Sequence, residues 1–200
     1  MPDTPNDRHH ARMASKKEVV DAKIANAKIE RGVLLVHTGT GKGKSSAAFG
    51  LVARALGHGH QVAVIQLVKS RSDTGEEGFF RNLPQVHWHV MGEGFTWETQ
   101  DKDKDTRASQ AAWALAKTYL ADPAIGLVVL DELTYAFKYG WLDLDEVLAT
   151  LAARPPQQHV VITGRGAPEA LVAAADTVTD MTLVKHAFKA GVAAMPGIEF

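Results

Sequence analysis

A glycine-rich segment between a short apolar run and a helical pattern constrains the fold more than any other feature. It reads Thr38-Gly-Thr-Gly-Lys-Gly-Lys-Ser45. The phosphate-loop pattern is glycine, four residues, then Gly-Lys-Ser/Thr; the end of the segment matches it, whereas Thr38 stands where the first glycine is expected. Gly39 and Gly41 still let the backbone curl around an anion. A dinucleotide fingerprint is excluded, because Lys44 stands where that pattern needs its third glycine.

Each residue type in this loop suits a bound triphosphate. Glycines let backbone N–H groups point at phosphate oxygens, and the following helix adds its N-terminal N–H groups and positive dipole end. Lys44 places an ammonium on the phosphates, Lys42 adds a second positive charge, and Ser45 offers its hydroxyl to Mg²⁺. The alternative is a strand-to-helix turn with no ligand. The flanking strand and helix favour a nucleotide triphosphate bound by Gly39 to Ser46.

Short aliphatic runs alternate with helical patterns from residue 32 onward. The predicted strands are 32–37, 62–68, 86–91, 126–131, 159–163 and 177–184, and the predicted helices are 44–56, 105–120, 143–153 and 168–175. This alternation predicts a single-domain α/β fold, with a mainly parallel sheet and helices on both faces. Residues 70–82 form the least regular interior stretch, interpreted as a loop.

The first 30 residues differ from the rest. Residues 1–14 are polar and predicted to be mobile, and 15–30 are predicted to form a helix. Its apolar stripe is thin, which suits a helix that rests on a surface or on a partner chain. We therefore predict an N-terminal segment over 1–30 and a phosphate-loop domain over 31–200.

Composition excludes several classes of function. The chain has no cysteine, which removes disulfides, thiolate metal sites and cysteine nucleophiles. With 22 basic and 23 acidic residues, it has no broad electrostatic footprint for nucleic acid or an anionic membrane. The longest aliphatic stretch, 125–130, is too short to span a bilayer, and no signal-peptide core is present. We predict a cytoplasmic protein with no membrane segment and no nucleic-acid partner.

Asp131 and Glu132 end the strongest predicted strand. This is the position of a Walker B acid, which holds Mg²⁺ directly or through water. Mg²⁺ on a triphosphate takes few protein carboxylates and keeps several waters. The alternative is a strand-end acid pair that faces solvent or caps the next segment. The phosphate loop in the same chain favours the metal site.

Two further loops carry candidate ligand contacts. Arg165 follows a strand, so it either reaches the triphosphate from the C-terminal edge of the sheet or belongs to a structural turn. Phe95 and Trp97 lie in a loop that begins with two glycines, Gly92 and Gly94. They either fill the sheet edge as core or form a platform for a large flat apolar ligand, and the residues alone favour the core.

Two patterns that resemble metal sites fail. The run 101–105 starts like a calcium loop, but Thr106 and Ala112 stand where that loop needs glycine and glutamate. His87 and His89 share one strand face without identifiable further ligands.

Five segments, taken together and in this order, resemble the ATP:corrinoid adenosyltransferases of bacterial cobalamin biosynthesis and salvage. They are GTGKGKSSAAFG at 39–50, GFTWETQ at 94–100, LDELTY at 130–135, ITGRG at 162–166 and VKHAF at 184–188. The resemblance covers nearly the whole chain. It implies a RecA-like fold, a homodimer, and transfer of the 5′-deoxyadenosyl group of ATP to Co(I) of a corrinoid, with triphosphate as the leaving group.

The resemblance also implies residue roles. The triphosphate would lie on the loop in a reversed orientation relative to ordinary phosphate-loop enzymes, and the N-terminal helix would help to close the partner's site. Phe95 and Trp97 would line the lower corrin face as the catalytic groups, where they exclude an axial ligand and ease reduction of Co(II); a flavoprotein is the implied electron donor. The predicted ATP contacts are Gly39, Thr40, Gly41, Lys42, Gly43, Lys44, Ser45, Ser46, Arg54 and Arg165, and the predicted Mg²⁺ or Mn²⁺ ligands are Ser45, Glu132 and Asp131.

Two mild departures from the family pattern concern the loop. Ser45 replaces a common threonine, which keeps the hydroxyl, and Thr40 replaces a common asparagine. Two other functions remain open. One is a phosphate-loop phosphotransferase or ATPase that acts on nucleic acid, and the other is a nucleotide-dependent corrinoid carrier or regulator.

Overall fold

The structure, a computed structural model, describes residues 4–68, 74–92 and 102–199, and the chain divides into a unit ending at Arg31 and a unit beginning at Gly32. In the first unit, helix α1 spans Pro5–Asn26 and buries none of its residues. It begins earlier than predicted because Thr4 and Asp7 form a capping box, with Pro5 at the first helical position. The prediction that this helix begins at residue 15 was therefore wrong.

The second unit contains a six-stranded sheet in the order β3-β2-β4-β5-β1-β6. Every strand pair in the described part of the chain is parallel, which confirms the predicted α/β class. The strands are β1 (Leu34–Thr38), β2 (Gln61–Gln66), β3 (Val86–Val90), β4 (Ile125–Asp131), β5 (His159–Thr163) and β6 (Thr177–Asp180).

Helices cover both faces of this sheet, because the central strands are apolar on both sides. The helices are α2 (Lys44–Gly57), α3 (Gly75–Phe80), α4 (Lys102–Leu120), α5 (Thr134–Lys138), α6 (Leu144–Ala152) and α7 (Glu169–Ala174), followed by a 3₁₀ turn at Ala187–Ala190. In β2, Val62 and Val64 pack in one apolar cluster with α2 and α3, whereas Ala63 and Ile65 pack in the other with α4, α6 and α7. No helix within the described ranges is long and apolar enough to cross a membrane.

Three elements differ from the sequence prediction. Helix α3 lies inside the stretch 70–82 that was interpreted as a loop, and α5 was not predicted. Strand β6 ends at Asp180 rather than at 184. Its pairing stops there because the chain turns toward the phosphate loop, where the carbonyl of Met181 accepts a hydrogen bond from Gly41 N–H at 2.6 Å.

Candidate nucleotide-binding cleft

Three loops that leave the C-terminal edge of the sheet meet in one cleft of about 530 Å³. Residues 41–46 arrive from β1, Glu132 from β4 and Arg165 from β5. Ligands of open parallel sheets bind at this edge, so the observed placement matches the position expected for a nucleotide site. For Arg165 the sequence allowed two interpretations, a structural turn or a contact with the triphosphate. In the structure Arg165 lines the cleft.

Close packing against the segment after β6 explains the glycines of the loop. Gly39 has φ +100°, and a Cβ built on it would stand 2.6 Å from the carbonyl oxygen of Met181. A Cβ on Gly41 would stand 2.5 Å from the same oxygen. A side chain at either position would force this backbone apart. The loop is therefore held in its curved shape by Met181, which lies 140 positions after Gly41 in the sequence, as well as by its own glycines.

Lys44 lies beneath the loop as the first residue of α2. Its side chain is buried, and Nζ donates a hydrogen bond to the carbonyl of Gly41 at 2.6 Å. Burial lowers the pKa of Lys44, while the negative charge of Glu132 opposes that shift and the positive charge of Arg165 adds to it. A buried ammonium at the start of a helix is a strong local positive charge that an anionic ligand can neutralise.

Asp131 is fully buried beneath the cleft and is held from two sides. Gln66 Nε2 donates to Oδ2 at 3.0 Å, and the Thr163 hydroxyl donates to Oδ1 at 2.7 Å. Gln66 is itself oriented by Trp88 Nε1, which donates to its Oε1 at 3.2 Å. This buried network crosses β3, β2, β4 and β5 and fixes the end of β4. Sequence reasoning missed Gln66 and Thr163, although a polar residue at the end of an aliphatic strand is the signal that marks both.

Glu132, the next residue, has a left-handed backbone with φ +62°. Such a conformation is unfavourable for a residue other than glycine and is often found at functional sites. It is supported here by the Thr163 hydroxyl, which accepts a hydrogen bond from Glu132 N–H at 2.9 Å while it donates to Asp131. The result separates the two carboxylates: Asp131 is sealed under the sheet edge, and Glu132 lines the cleft.

Two tyrosines and a lysine form an aromatic and cationic part of the cleft lining. The rings of Tyr135 and Tyr139 are stacked with centroids 6.1 Å apart, and Lys138 Nζ stands 5.2 Å from the Tyr139 ring. Burial raises the pKa of Tyr135, and the charge of Glu132 adds to this effect. The sequence prediction missed this part of the lining. Short helix α5 brings the three side chains to the cleft directly after the carboxylate pair.

Some predicted site residues lie elsewhere. Gly39 and Thr40 belong to the loop but are not among the residues that line the cleft. Arg54 is in the last turn of α2 and lines a different, more apolar cavity of about 320 Å³. Phe95 and Trp97 lie outside the described residues.

No group of three or more His, Asp or Glu side chains within the described ranges is arranged to hold a metal ion. Of the two strand histidines, His89 Nε2 lies 2.7 Å from the hydroxyl of Tyr119, and the His87 ring stacks obliquely on the ring of the same tyrosine. Burial lowers the pKa of His89. These contacts give both histidines a packing role on α4.

Comparison with known proteins gives a consistent result. Residues 30–200 match the family described as ATP:corrinoid adenosyltransferase BtuR/CobO/CobP, and residues 1–24 match a family described as Cob(I)alamin adenosyltransferase N terminal. A corrinoid adenosyltransferase of Pseudomonas aeruginosa is 63% identical over 196 residues, which cover 98% of this chain and 97% of the relative. Corrinoid adenosyltransferase CobA of Salmonella typhimurium is 48% identical over 198 residues, covering 98% and 99%.

Proposed function

The chain belongs to the ATP:corrinoid adenosyltransferase family, which transfers the adenosyl group of ATP to corrinoids in cobalamin biosynthesis and salvage, and we propose that its cleft binds the ATP. The triphosphate lies on residues 39–46, with Lys42 and Lys44 as the cationic contacts. The observation that carries this proposal is the convergence of the loop, Glu132 and Arg165 on one cleft at the C-terminal edge of the sheet.

The chemistry requires little of the protein beyond position and charge. Cobalt(I) of the corrinoid attacks C5′ of the ribose, a cobalt–carbon bond forms, and the C5′–oxygen bond breaks with its electron pair leaving on triphosphate. No proton has to move, so no side chain has to act as a base. Holding C5′ close to the cobalt and stabilising the negative charge of the leaving group account for the catalysis. The lysines and the N-terminus of α2 supply that positive charge.

We also propose that Ser45 and Glu132 would hold Mg²⁺, or Mn²⁺, beside the triphosphate. Both residues line the cleft, and their oxygens are the ligands that a hard cation prefers. Because both oxygens of Asp131 already accept hydrogen bonds, we assign it the positioning of Glu132 and contact with the ion only through water. When bound, the ion would neutralise charge on the leaving triphosphate.

The corrinoid is proposed to lie on Phe95 and Trp97. Strand β3 ends at Val90, at the same edge of the sheet as β4 and β5, so the chain continues from the edge that carries the cleft. This supports a corrinoid site beside the nucleotide, as the reaction requires.

Replacing both Phe95 and Trp97 with alanine is expected to slow reduction of bound Co(II) by about tenfold or more, because water or another axial ligand then reaches the cobalt. The affinity for ATP should stay within about twofold, since the triphosphate contacts remain. Stopped-flow absorbance under a strong reductant measures the first quantity, and calorimetry measures the second. Phe79→Ala, at an exposed phenylalanine of α3, is the control. Equal losses in reduction and ATP binding would instead assign the two aromatics to the core.

The relation of this chain to other molecules completes the proposal. We propose a homodimer in the cytoplasm that receives electrons from a flavoprotein. The exposed apolar residues of α1, among them Val19, Val20 and Ile24, support a helix that packs on a partner chain and helps to close the partner's site. We propose that Arg54 contacts the nucleotide bound by a partner subunit, because it lies away from the cleft of its own chain.

The phosphate product tests the orientation of ATP in the cleft. ATP, Mg²⁺ and a reduced corrinoid should give one inorganic triphosphate per cobalt–carbon bond, measured by phosphorus NMR and by the absorbance of the alkylated corrinoid. The analogue with an imido group between the β and γ phosphates should also serve as donor, because that bond is not broken. Release of ADP and phosphate, or failure of the imido analogue alone, would favour a phosphotransferase or ATPase. Binding of both ligands without a cobalt–carbon bond would favour a carrier.

A further inference from the structure

The outer lysine of the phosphate loop already has an anionic partner. Lys42 Nζ forms an ion pair with Oε2 of Glu199, which lies 157 positions later in the sequence. The Glu199 side chain is 23% exposed, and it lines the same cleft as Lys44, Ser45 and Glu132. The carboxylate of Glu199 therefore occupies the position beside Lys42 that a phosphate of ATP would take in the proposed function.

The two C-terminal contacts with the loop differ in how firmly they are held. Met181 packs against the loop glycines, and its carbonyl accepts the Gly41 N–H. Residues 195–199 form a turn in which Ile198 N–H and Glu199 N–H both point to the carbonyl of Met195. Ile198 leaves 84% of its surface exposed and Met195 leaves 61%. This turn has little apolar packing to hold it over the cleft, so it can be displaced at low cost.

The competition between the two anions follows from their charge. Lys42 is half exposed, and ion pairs of this kind contribute only about 0–1 kcal/mol. The triphosphate of ATP carries several negative charges and also gains the helix N-terminus and Lys44, so it outcompetes a single carboxylate. The product triphosphate carries at least as much charge as its precursor and would be slow to leave a site built for it.

We propose that Glu199 is a gate carboxylate: it pairs with Lys42 in the empty cleft, yields to a bound triphosphate, and, by competing for Lys42, weakens binding of the triphosphate product. This inference rests on the proposed function, since it requires the triphosphate to lie on the loop. In this proposal Lys42 pairs first with Glu199 and then with the triphosphate. Buried Lys44 contacts only the loop and the bound triphosphate. Release of triphosphate is then assisted by a residue that belongs to neither the loop nor the Walker B strand.

Calorimetric titration of inorganic triphosphate with Mg²⁺, without corrinoid, tests the gate. Glu199→Gln keeps the size of the side chain and removes its charge. It should lower the Kd for triphosphate by about two- to fivefold, and the gain should shrink at high salt. The product inhibition constant of triphosphate against ATP should fall in parallel. Glu169→Gln, at an exposed glutamate in the first turn of α7, should change neither.

The outcomes separate the gate from the function on which it rests. If Glu199→Gln binds triphosphate with an unchanged Kd, the gate is overturned. The triphosphate site itself still stands in that case, provided that Lys44→Met abolishes the binding seen in the wild type. Weaker binding in Glu199→Gln also overturns it, because the carboxylate would then support the ligand, for example through its metal ion. If Lys44→Met binds triphosphate as tightly as the wild type does, both proposals are overturned.

Discussion

Lys44→Met is expected to lower kcat/KM for ATP by about 10²–10³-fold, the usual loss when one preorganised group that stabilises developing charge is removed. Lys44 is buried, and its Nζ is fixed by the carbonyl of Gly41, so its charge is in place before ATP arrives. Methionine keeps an unbranched stem of similar length and removes only the ammonium. The measurement is the initial rate of cobalt–carbon bond formation at several ATP concentrations under reducing conditions.

The stability of the same variant provides an independent check. Burial lowers the pKa of Lys44, which means that the folded protein holds this charge at a cost relative to the unfolded chain. Methionine removes that cost, so the melting temperature should be unchanged or higher while activity falls. Lys189→Met, at an exposed lysine of the 3₁₀ turn, is the matched control and should leave activity unchanged. A loss of activity under about fivefold, or one that tracks a lower melting temperature, would show that Lys44 acts on the fold rather than on the triphosphate.

Much of the fold follows from the sequence because its signals are local. The aliphatic runs that become β1, β4 and β5 are short, buried on both sides and separated by helical patterns, and this alone requires a parallel sheet. The predicted α/β class with a mainly parallel sheet is confirmed on that basis. The loop with its lysines and the acid pair at the end of β4 were also placed correctly relative to the strands, since each follows a strand end that the sequence marks.

The parts that escaped prediction depend on contacts between distant residues. The sequence gives no reason to expect that Glu132, rather than Asp131, lines the cleft, because the left-handed turn at Glu132 relies on the hydroxyl of Thr163. Glu199 was not a candidate, because its ion pair with Lys42 forms only where the chain folds back to the loop. The early start of α1, in contrast, depends on local residues. Thr4 and Asp7 have the spacing of a capping box, but the polar composition of the segment led to the prediction of a later start.

Glu132→Gln is expected to raise the Mg²⁺ concentration needed for half-maximal activity by about 10- to 100-fold, the usual range for removing a group that supports a metal site. Glutamine adopts the same backbone and keeps the hydrogen bond from its N–H to Thr163, so the melting temperature should change little. Adenosyl transfer measured across a titration of Mg²⁺, at saturating ATP, gives the shift. Glu146→Gln is not a suitable control, because Glu146 accepts hydrogen bonds from Trp113 and Lys117; the exposed Glu169 serves instead.

Asp131→Asn, compared with Glu132→Gln, shows which of the two carboxylates supports the metal ion, because Asp131 and Glu132 have different contacts. Both oxygens of Asp131 accept hydrogen bonds, from Gln66 and Thr163, so an amide NH₂ must face one of two donors. A mismatched buried polar group costs about 1–3 kcal/mol, and the melting temperature should fall accordingly. The Mg²⁺ requirement should rise less than in Glu132→Gln, since Asp131 acts on the ion through the position of Glu132. A larger rise in Mg²⁺ requirement for Asp131→Asn, without loss of stability, would reverse the two roles and make the buried carboxylate the metal ligand.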